Sequence, residues 1–322
     1  MKVLLTGAFG NIGTSTLKEL VKRGHRVRCF DLKTKRNQEI AAKFADQVET
    51  VWGDMRCQDD VSSAVQDQAA VIHTAAIIPK LSATGVQSED RPDWARTINV
   101  GGTWNLLNAM KAIPQSPKII YTSSLHVFGR TQDQPFPRSV CDPVQPVEHY
   151  AHHKVECEQM IKESGLVSAI LRLSAALPIR LILDPGMFEV PLNNRIEYVH
   201  SKDVGVALAN ALGCGAVWGK TLLIGGGKKC QFYYRDLVAR ILTATGIGTM
   251  PEEAFTTIPY SVDWLDTEES QRLLNYQRRT LEDYIHDTLQ ALGSRLRWIR
   301  LFQPLVRYLL LRQSPYYGKA VA

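Results

Sequence analysis

Short apolar runs rich in β-branched residues alternate with amphipathic stretches through the first half of the chain. Runs at 2–6, 26–31, 48–52, 70–74, 118–122 and 168–172 have the length of strands and little polarity on either face, as strands covered on both sides require. Between them, residues 12–23, 34–45, 61–66, 94–112 and 150–164 carry helical spacing. This alternation predicts an α/β fold, a doubly wound parallel sheet with helices on both faces. Past residue 173 the rhythm loosens. Strands at 196–200 and 221–224, helices from Lys202 and Tyr234, and helices at 267–275 and 280–292 predict a smaller C-terminal lobe that shares strands with the first. Two polar, Pro-rich loops, 79–92 and 130–147, fall at the carboxyl end of the sheet, where such folds bind ligands.

The first turn narrows the reading. After the opening strand comes Gly7-Ala8-Phe9-Gly10-Asn11-Ile12-Gly13, then a helix, a second strand, and Asp31 at that strand's end. Glycines allow a tight turn and close approach to a pyrophosphate, whose charge rests on the amides at the helix N-terminus. A spaced-glycine loop alone is weak; one set between a strand and a helix, with an acid after the next strand, predicts a Rossmann-type dinucleotide site. The Asp31 carboxylate can accept the ribose hydroxyls and repels a 2′-phosphate, so NAD is expected and NADP disfavoured. Lys33, Lys35 and Arg36 follow closely, and their position reads as the solvated start of the next helix.

Composition adds boundaries. The 322 residues suffice for one large α/β domain with a small companion, and the apolar fraction of 45% is ordinary. The glycine loop begins too early for a secretory signal to precede it. The longest apolar tract, 166–183, is broken by Arg172, Pro178 and Arg180 and is not expected to span a bilayer. Cys29, Cys57, Cys141, Cys157, Cys214 and Cys230 are scattered without a Cys-x-x-Cys pair, as free thiols in a reducing cytoplasm would be. The net charge of +6 sits wholly after Ser294, in Arg295, Arg297, Arg300, Arg307, Arg312 and Lys319 with no acid among them. The neutral body argues against a nucleic-acid partner. In the tail, Trp298, Ile299, Phe302, Leu305, Val306, Leu309 and Leu310 gather on one side of a helix that Pro304 kinks or divides. Packing on its own domain or on a dimer partner is the plain reading of that face; contact with an anionic membrane surface is the alternative.

Tyr150 and Lys154 stand four apart at the start of a predicted helix, so both project from one face. A nearby ammonium favours a phenolate and makes tyrosine a workable proton acceptor. The pair follows a strand ending Tyr121-Thr122-Ser123-Ser124. Taken with the glycine loop, Trp52-Gly53-Asp54, His73-Thr74-Ala75-Ala76, Asn99-Val100-Gly101-Gly102-Thr103 and Ser124-Leu125-His126-Val127-Phe128-Gly129, the chain resembles the extended short-chain dehydrogenase/reductase family, also called the NAD-dependent epimerase/dehydratase family. The likeness covers about the first 175 residues. It implies Tyr150 as general acid/base, Lys154 as the cation that holds the nicotinamide ribose and lowers the phenol, and Ser124 (or Ser123, one register away) as hydrogen-bond donor to the reacting oxygen. It further implies a cofactor-binding set of Gly7, Phe9, Gly10, Asn11, Ile12, Gly13, Asp31, Asp54, Met55, Thr74, Ala75, Ala76, Asn99 and Thr122, joined by Tyr150 and Lys154. Asp54 would approach the adenine, and Asn99 would fasten neighbouring strands and loops. Tyr198-Val199-His200 with Asp203 is a weaker match to the family's later strand-to-helix motif.

The chain also departs from the family. After Arg172 it reads Leu173-Ser174-Ala175-Ala176-Leu177-Pro178 and reaches His200 quickly, leaving little room for the segment that grips a nucleotide diphosphate. Phe128 stands where tyrosine is frequent. The expectation is therefore an NAD-dependent oxidoreductase transferring hydride between nicotinamide and a secondary alcohol or ketone of a small or lipophilic metabolite. The alternatives are a sugar-nucleotide epimerase or dehydratase and, in another class, a non-catalytic NAD(P)-binding regulator or scaffold. The expected organisation is an NAD-binding domain at 1–173, a substrate-covering lobe at 174–293 and a basic amphipathic extension at 294–322. A small-molecule substrate, a homodimer and a cytoplasmic location with membrane association as an option complete the reading. His149, His152 and His153 lack an acid or cysteine at ligand spacing, so no metal is expected. Cys157 is read as packing, and Arg180 and Arg195 as candidate anchors for a substrate anion or as ordinary surface charges.

Overall fold

The chain's computed structural model describes residues 1–80, 82, 84–180 and 184–318. Lys319 of the basic tail and the last three residues of the apolar tract, 181–183, lie outside the described residues. Strands β1 (Lys2–Thr6), β2 (Arg26–Asp31), β3 (Glu49–Trp52), β4 (Ala70–His73), β5 (Lys118–Ser124), β6 (Ser168–Leu173) and β8 (Thr221–Ile224) form one parallel sheet in the order β3-β2-β1-β4-β5-β6-β8. The order reverses between β1 and β4, which opens a crevice at their carboxyl ends. Both faces of the sheet are covered, so Val3 and Leu5 pack in one apolar cluster while Leu4 packs in another.

Helices α1 (Asn11–Lys22), α2 (Lys35–Ala41), α3 (Gln58–Val65), α4 (Pro92–Arg96), α5 (Gly102–Lys111) and α6 (His149–Glu163) connect these strands. The stretch read as one helix at 94–112 is instead α4 and α5 joined by a π turn, Thr97–Gly101. One extra residue in the turn directs Asn99 inward, a recurrent use of such bulges. Its side chain accepts from Ile77 N at 2.7 Å and donates to Ile77 O at 2.9 Å, fastening the segment after β4. Helix α3 starts earlier than the apolar pattern indicates, with Asp59 and Asp60 in its first turn, where carboxylates favour the helix dipole.

The second half adds α7 (Ser201–Gly213), α8 (Tyr234–Ala244), α9 (Glu268–Leu274) and α10 (Leu281–Leu292), with an antiparallel pair β7 (Arg195–Glu197) and β9 (Gln231–Tyr233). The three-residue β9 has no sequence signature of its own. A separate apolar cluster, including Phe188, Tyr198, Leu237, Phe255 and Tyr284, holds this region together. The tail forms α11 (Arg295–Leu301) and α12 (Gln303–Leu311), and Pro304 begins the second helix as the sequence allowed. Its apolar face divides. Ile299, Val306 and Leu310 pack on the second cluster, while Trp298, Leu301, Phe302, Leu305, Tyr308 and Leu309 stay exposed. Among the described residues, no helix is long and apolar enough to cross a membrane.

Helix α6 is anchored by a buried ion pair. Arg172 on β6 donates to Glu158 at 2.9 and 2.7 Å, Ser123 on β5 donates to the same carboxylate at 2.6 Å, and both charged side chains are almost wholly enclosed. Removing one partner of such a pair strands a charge in a dry interior. Glu158→Ala should therefore cost about 3–5 kcal/mol of stability, whereas converting Glu158 and Arg172 together to methionine should recover most of it. Chemical denaturation of the three proteins reads this directly; equal losses in the single and double variants would contradict it.

Candidate active site

The glycine turn is shaped by contacts at two positions. Gly7 has φ +65°, and a Cβ there would lie 2.7 Å from the Ala75 backbone; a Cβ on Gly13 would meet Gly7 O at 2.0 Å. Only glycine lets β1, the segment after β4 and α1 converge this tightly. Helix α1 then begins with no side-chain cap and no acid in its first turn. Its opening residues Asn11, Ile12 and Thr14, with Gly10, line a cleft of 810 Å³, so the positive end of the helix faces that space.

Asp31 serves the turn before it serves any ligand. Its Oδ2 accepts from Phe9 N at 2.9 Å, and Oδ1 accepts from Leu32 N at 2.8 Å and Asn37 Nδ2 at 3.1 Å. Burial pushes the carboxyl upward, against these hydrogen bonds and the Arg36 charge. Arg36, like Lys33 and Lys35, is exposed at the start of α2, as the sequence reading has it; its guanidinium also donates to Phe9 O at 3.2 Å and borders the cleft.

Gly7, Gly10, Asp31, Asp54, Met55, Thr74, Ala75 and Ala76 line a 150 Å³ hollow that shares Gly10, Thr74 and Ala76 with the cleft, so the two form one groove. Arg56 holds the Asp54 carboxyl below its ordinary range, outweighing burial. Phe9 does not line the groove by its side chain; it is fully buried and packs on Trp52 with ring centroids 5.5 Å apart. Gly13 and Asn99 also stand off the groove and hold its walls. The set fits an adenine dinucleotide: small side chains along the floor, a helix N-terminus midway and a carboxylate at one end.

Thr122, Ser123, Ser124, Tyr150 and Lys154 meet at the other end of the cleft. Lys154 is buried, donates to Thr122 O at 2.7 Å and lies 4.6 Å from the Tyr121 ring centre and 5.6 Å from that of Tyr150. Burial pulls this ammonium down to about 8. Burial pushes the Tyr150 phenol up, and the facing Ser124 hydroxyl partly opposes it. The expected lowering of Tyr150 by Lys154 is not seen, because desolvation of the phenol dominates. Ser123 is committed to Glu158, which leaves Ser124 as the serine facing the phenol.

Several residues at the site carried no separate signal in the sequence. Glu89, in the loop after β4, accepts from His149 N at 3.1 Å and Tyr150 N at 3.0 Å and so caps the first two residues of α6. His126 packs edge-on against Tyr150 and Tyr260, at 5.9 and 5.5 Å between ring centroids. Its Nδ1 lies 3.6 Å from Glu148. Arg195, a candidate anion anchor, is instead buried against Asp263 at 2.7 Å; Arg180 does border the cleft. The three histidines diverge, His149 and His152 exposed and His153 buried. Beyond His126 and Tyr260 the cleft opens into a 230 Å³ cavity walled by Val190, Leu237, Val238, Ile241, Leu242 and Val262, among others.

A family model described as the NAD dependent epimerase/dehydratase family matches residues 3–177, more than half of the chain. The chain belongs to that family. It is 36% identical over 123 residues to a 3 beta-hydroxysteroid dehydrogenase/Delta 5-->4-isomerase of Mycobacterium tuberculosis, covering 38% of this chain and 31% of that protein. It is 28% identical over 170 residues to the mouse 3 beta-hydroxysteroid dehydrogenase type 7, covering 52% and 44%. The chain thus matches 31% and 44% of the length of these two curated relatives. Among solved structures, a UDP-glucuronic acid 4-epimerase from Bacillus cereus, in complex with UDP-glucuronic acid and NAD, superposes with TM-score 0.76 at 20% identity over 93% of this chain and 100% of the other. That likeness is one of fold.

The buried lysine sets a pH signature. Its folded value, about 8, lies below the ordinary 10.5, so between these values this side chain binds more proton in the unfolded chain and its contribution to stability rises with pH. Lys154→Met should flatten that rise between about pH 8 and 10.5, read from denaturant midpoints across the range. An unchanged slope would show that another group titrates there.

Proposed function

We propose that the chain is an NAD-dependent oxidoreductase acting on a secondary alcohol or ketone of a lipophilic metabolite. The observation that carries this is the junction at His126 and Tyr260, where the polar corner of Ser124, Tyr150 and Lys154 gives way to an apolar chamber. NAD in the groove would accept or supply the hydride. Tyr150 exchanges the proton of the reacting hydroxyl, Ser124 donates a hydrogen bond to the same oxygen, and Lys154 keeps a positive charge beside the phenol. A nucleotide diphosphate finds few cations in the chamber: Arg180 and Lys80 stand at its mouth, and Lys80 is paired with Glu189 at 2.9 Å. The two named relatives, both hydroxysteroid dehydrogenases, support a lipophilic substrate over a sugar nucleotide. We assign residues 1–173 to cofactor binding and 174–293 to covering the substrate.

Incubation of the protein with NAD and a panel of secondary alcohols should give a lasting rise of absorbance at the reduced-nicotinamide band, lost by at least a hundredfold in Tyr150→Phe with cofactor affinity retained. Product formation without net absorbance change would instead indicate an epimerase or dehydratase. A Tyr150→Phe protein as active as the parent would remove Tyr150 from the chemistry.

The tail supplies the site's surroundings. Trp298, Leu301, Phe302, Leu305, Tyr308 and Leu309 are each about half exposed or more, and Arg297, Arg300, Arg307 and Arg312 accompany them in a stretch of sequence with no acid after Ser294. This charge pattern suits an anionic bilayer surface and repels a second copy of itself. The protein should float with vesicles containing phosphatidylserine and remain behind with phosphatidylcholine alone. Replacing Trp298, Leu301 and Leu305 together by serine should abolish flotation; equal flotation of the variant would refute the membrane assignment, and a loss of dimer instead would give this face to a second copy.

A further inference from the structure

Two hydroxyls in the apolar chamber stand out. Tyr198 is wholly buried and Thr288 nearly so, both line the 230 Å³ cavity, and among the described residues neither hydroxyl oxygen has a hydrogen-bond partner within 3.5 Å. They come from different elements: Tyr198 from the segment after β7, where Val199 N donates to Ala175 O at 2.9 Å, and Thr288 from α10, one helical turn beyond Tyr284. The Tyr198 and Tyr284 rings pack at 5.2 Å, and Tyr284 turns its own hydroxyl to Pro178 O at 3.4 Å. Tyr284 is thereby accounted for within the fold, and its hydroxyl is also the neighbour that the Thr288 hydroxyl faces; Tyr198 has no such neighbour among the described residues.

A buried hydroxyl without a partner is costly, and proteins seldom keep one where an apolar side chain would fill the space. Phenylalanine and valine would satisfy these walls if packing alone were at stake. Neither residue lines the cleft that holds Tyr150, which sets them apart from the corner where the reacting oxygen would lie. We propose that the chamber recognises a substrate with a second hydrogen-bonding oxygen, separate from the reacting carbinol or ketone and met by Tyr198 and Thr288. The substrate class is then a largely apolar molecule oxygenated at two sites. This rests on the oxidoreductase reading above and adds what that reading does not require: a polar requirement inside an apolar cavity. Tyr198 and Thr288 act here in specificity and do not touch the reacting atoms.

The test uses two saturated steroids as probes, androstanol and androstanediol, which differ by one hydroxyl remote from the first. Binding of each to the full chain in the presence of NAD is measured by equilibrium dialysis, and the ratio of the two affinities is read so that any general loss cancels. The diol should bind the parent protein about tenfold more tightly, and Tyr198→Phe should bring the ratio close to one, about the effect of a single buried hydrogen bond. Should Tyr198→Phe fail to fold, Thr288→Val takes its place with the same expected direction. A ratio near one in the parent, a ratio untouched by both substitutions, or failure of either probe to bind would overturn the proposal. Oxidation is followed separately by nicotinamide absorbance. Oxidation of both probes without preference defeats this inference alone, whereas selective binding of the diol without any oxidation defeats the oxidoreductase reading and leaves the inference standing.

Discussion

A lysine ammonium kept out of water between two phenol rings is the constraint on which the rest of the site depends. An isolated buried cation would shed its proton or unfold its surroundings. Lys154 is kept by the Thr122 carbonyl and by the faces of Tyr121 and Tyr150. That arrangement exists because α6 lies flat on β5, and α6 lies there because Glu158 is clamped by Arg172 and Ser123 one turn further along. Glu89 fixes the helix at its other end. Tyr150 is thus positioned from both sides by charges that never meet a ligand.

The two halves of the chain supply two different solvents. At the crevice between β1 and β4, backbone amides and a carboxylate face a groove with a small-residue floor, a place for a charged, hydrated molecule. Across the His126–Tyr260 threshold the lining turns aliphatic and aromatic. A reaction that joins a nucleotide cofactor to a lipophilic partner needs such a boundary, because each reactant then loses water only where it is held. The tail packs on the same apolar cluster that walls the chamber, with Gln303 donating to Ile247 O at 3.0 Å just past α8. The tail's exposed apolar face therefore lies on the same cluster that walls the chamber.

What the sequence disclosed follows from how local each feature is. The glycine turn, Asp31 and the Tyr150–Lys154 spacing are each written within a single turn or helix, and the six leading strands are short apolar runs whose period leaves little choice. The chamber is not local. Its walls come from residues near 126, 175–180, 184–198, 234–245, 260–262 and 284–288, and no window of sequence brings these together. Glu89 escaped notice because an acid in a loop becomes a helix cap only when that loop returns to the helix. The tail's stripe was visible, but which half of it would pack depended on where α8 and α10 place their grooves. Arg195, open in the sequence as an anion anchor or a surface charge, is half of a buried pair for the same reason: its partner, Asp263, is 68 residues away.

The most direct test of this account is a crystal structure of the protein with NAD. It should place the adenosine in the hollow beside Asp31 and Asp54, the pyrophosphate at the start of α1, and the nicotinamide ring in the corner formed by Ser124, Tyr150 and Lys154. A nicotinamide ring disordered in solvent, or bound away from the Tyr150 hydroxyl, would contradict it.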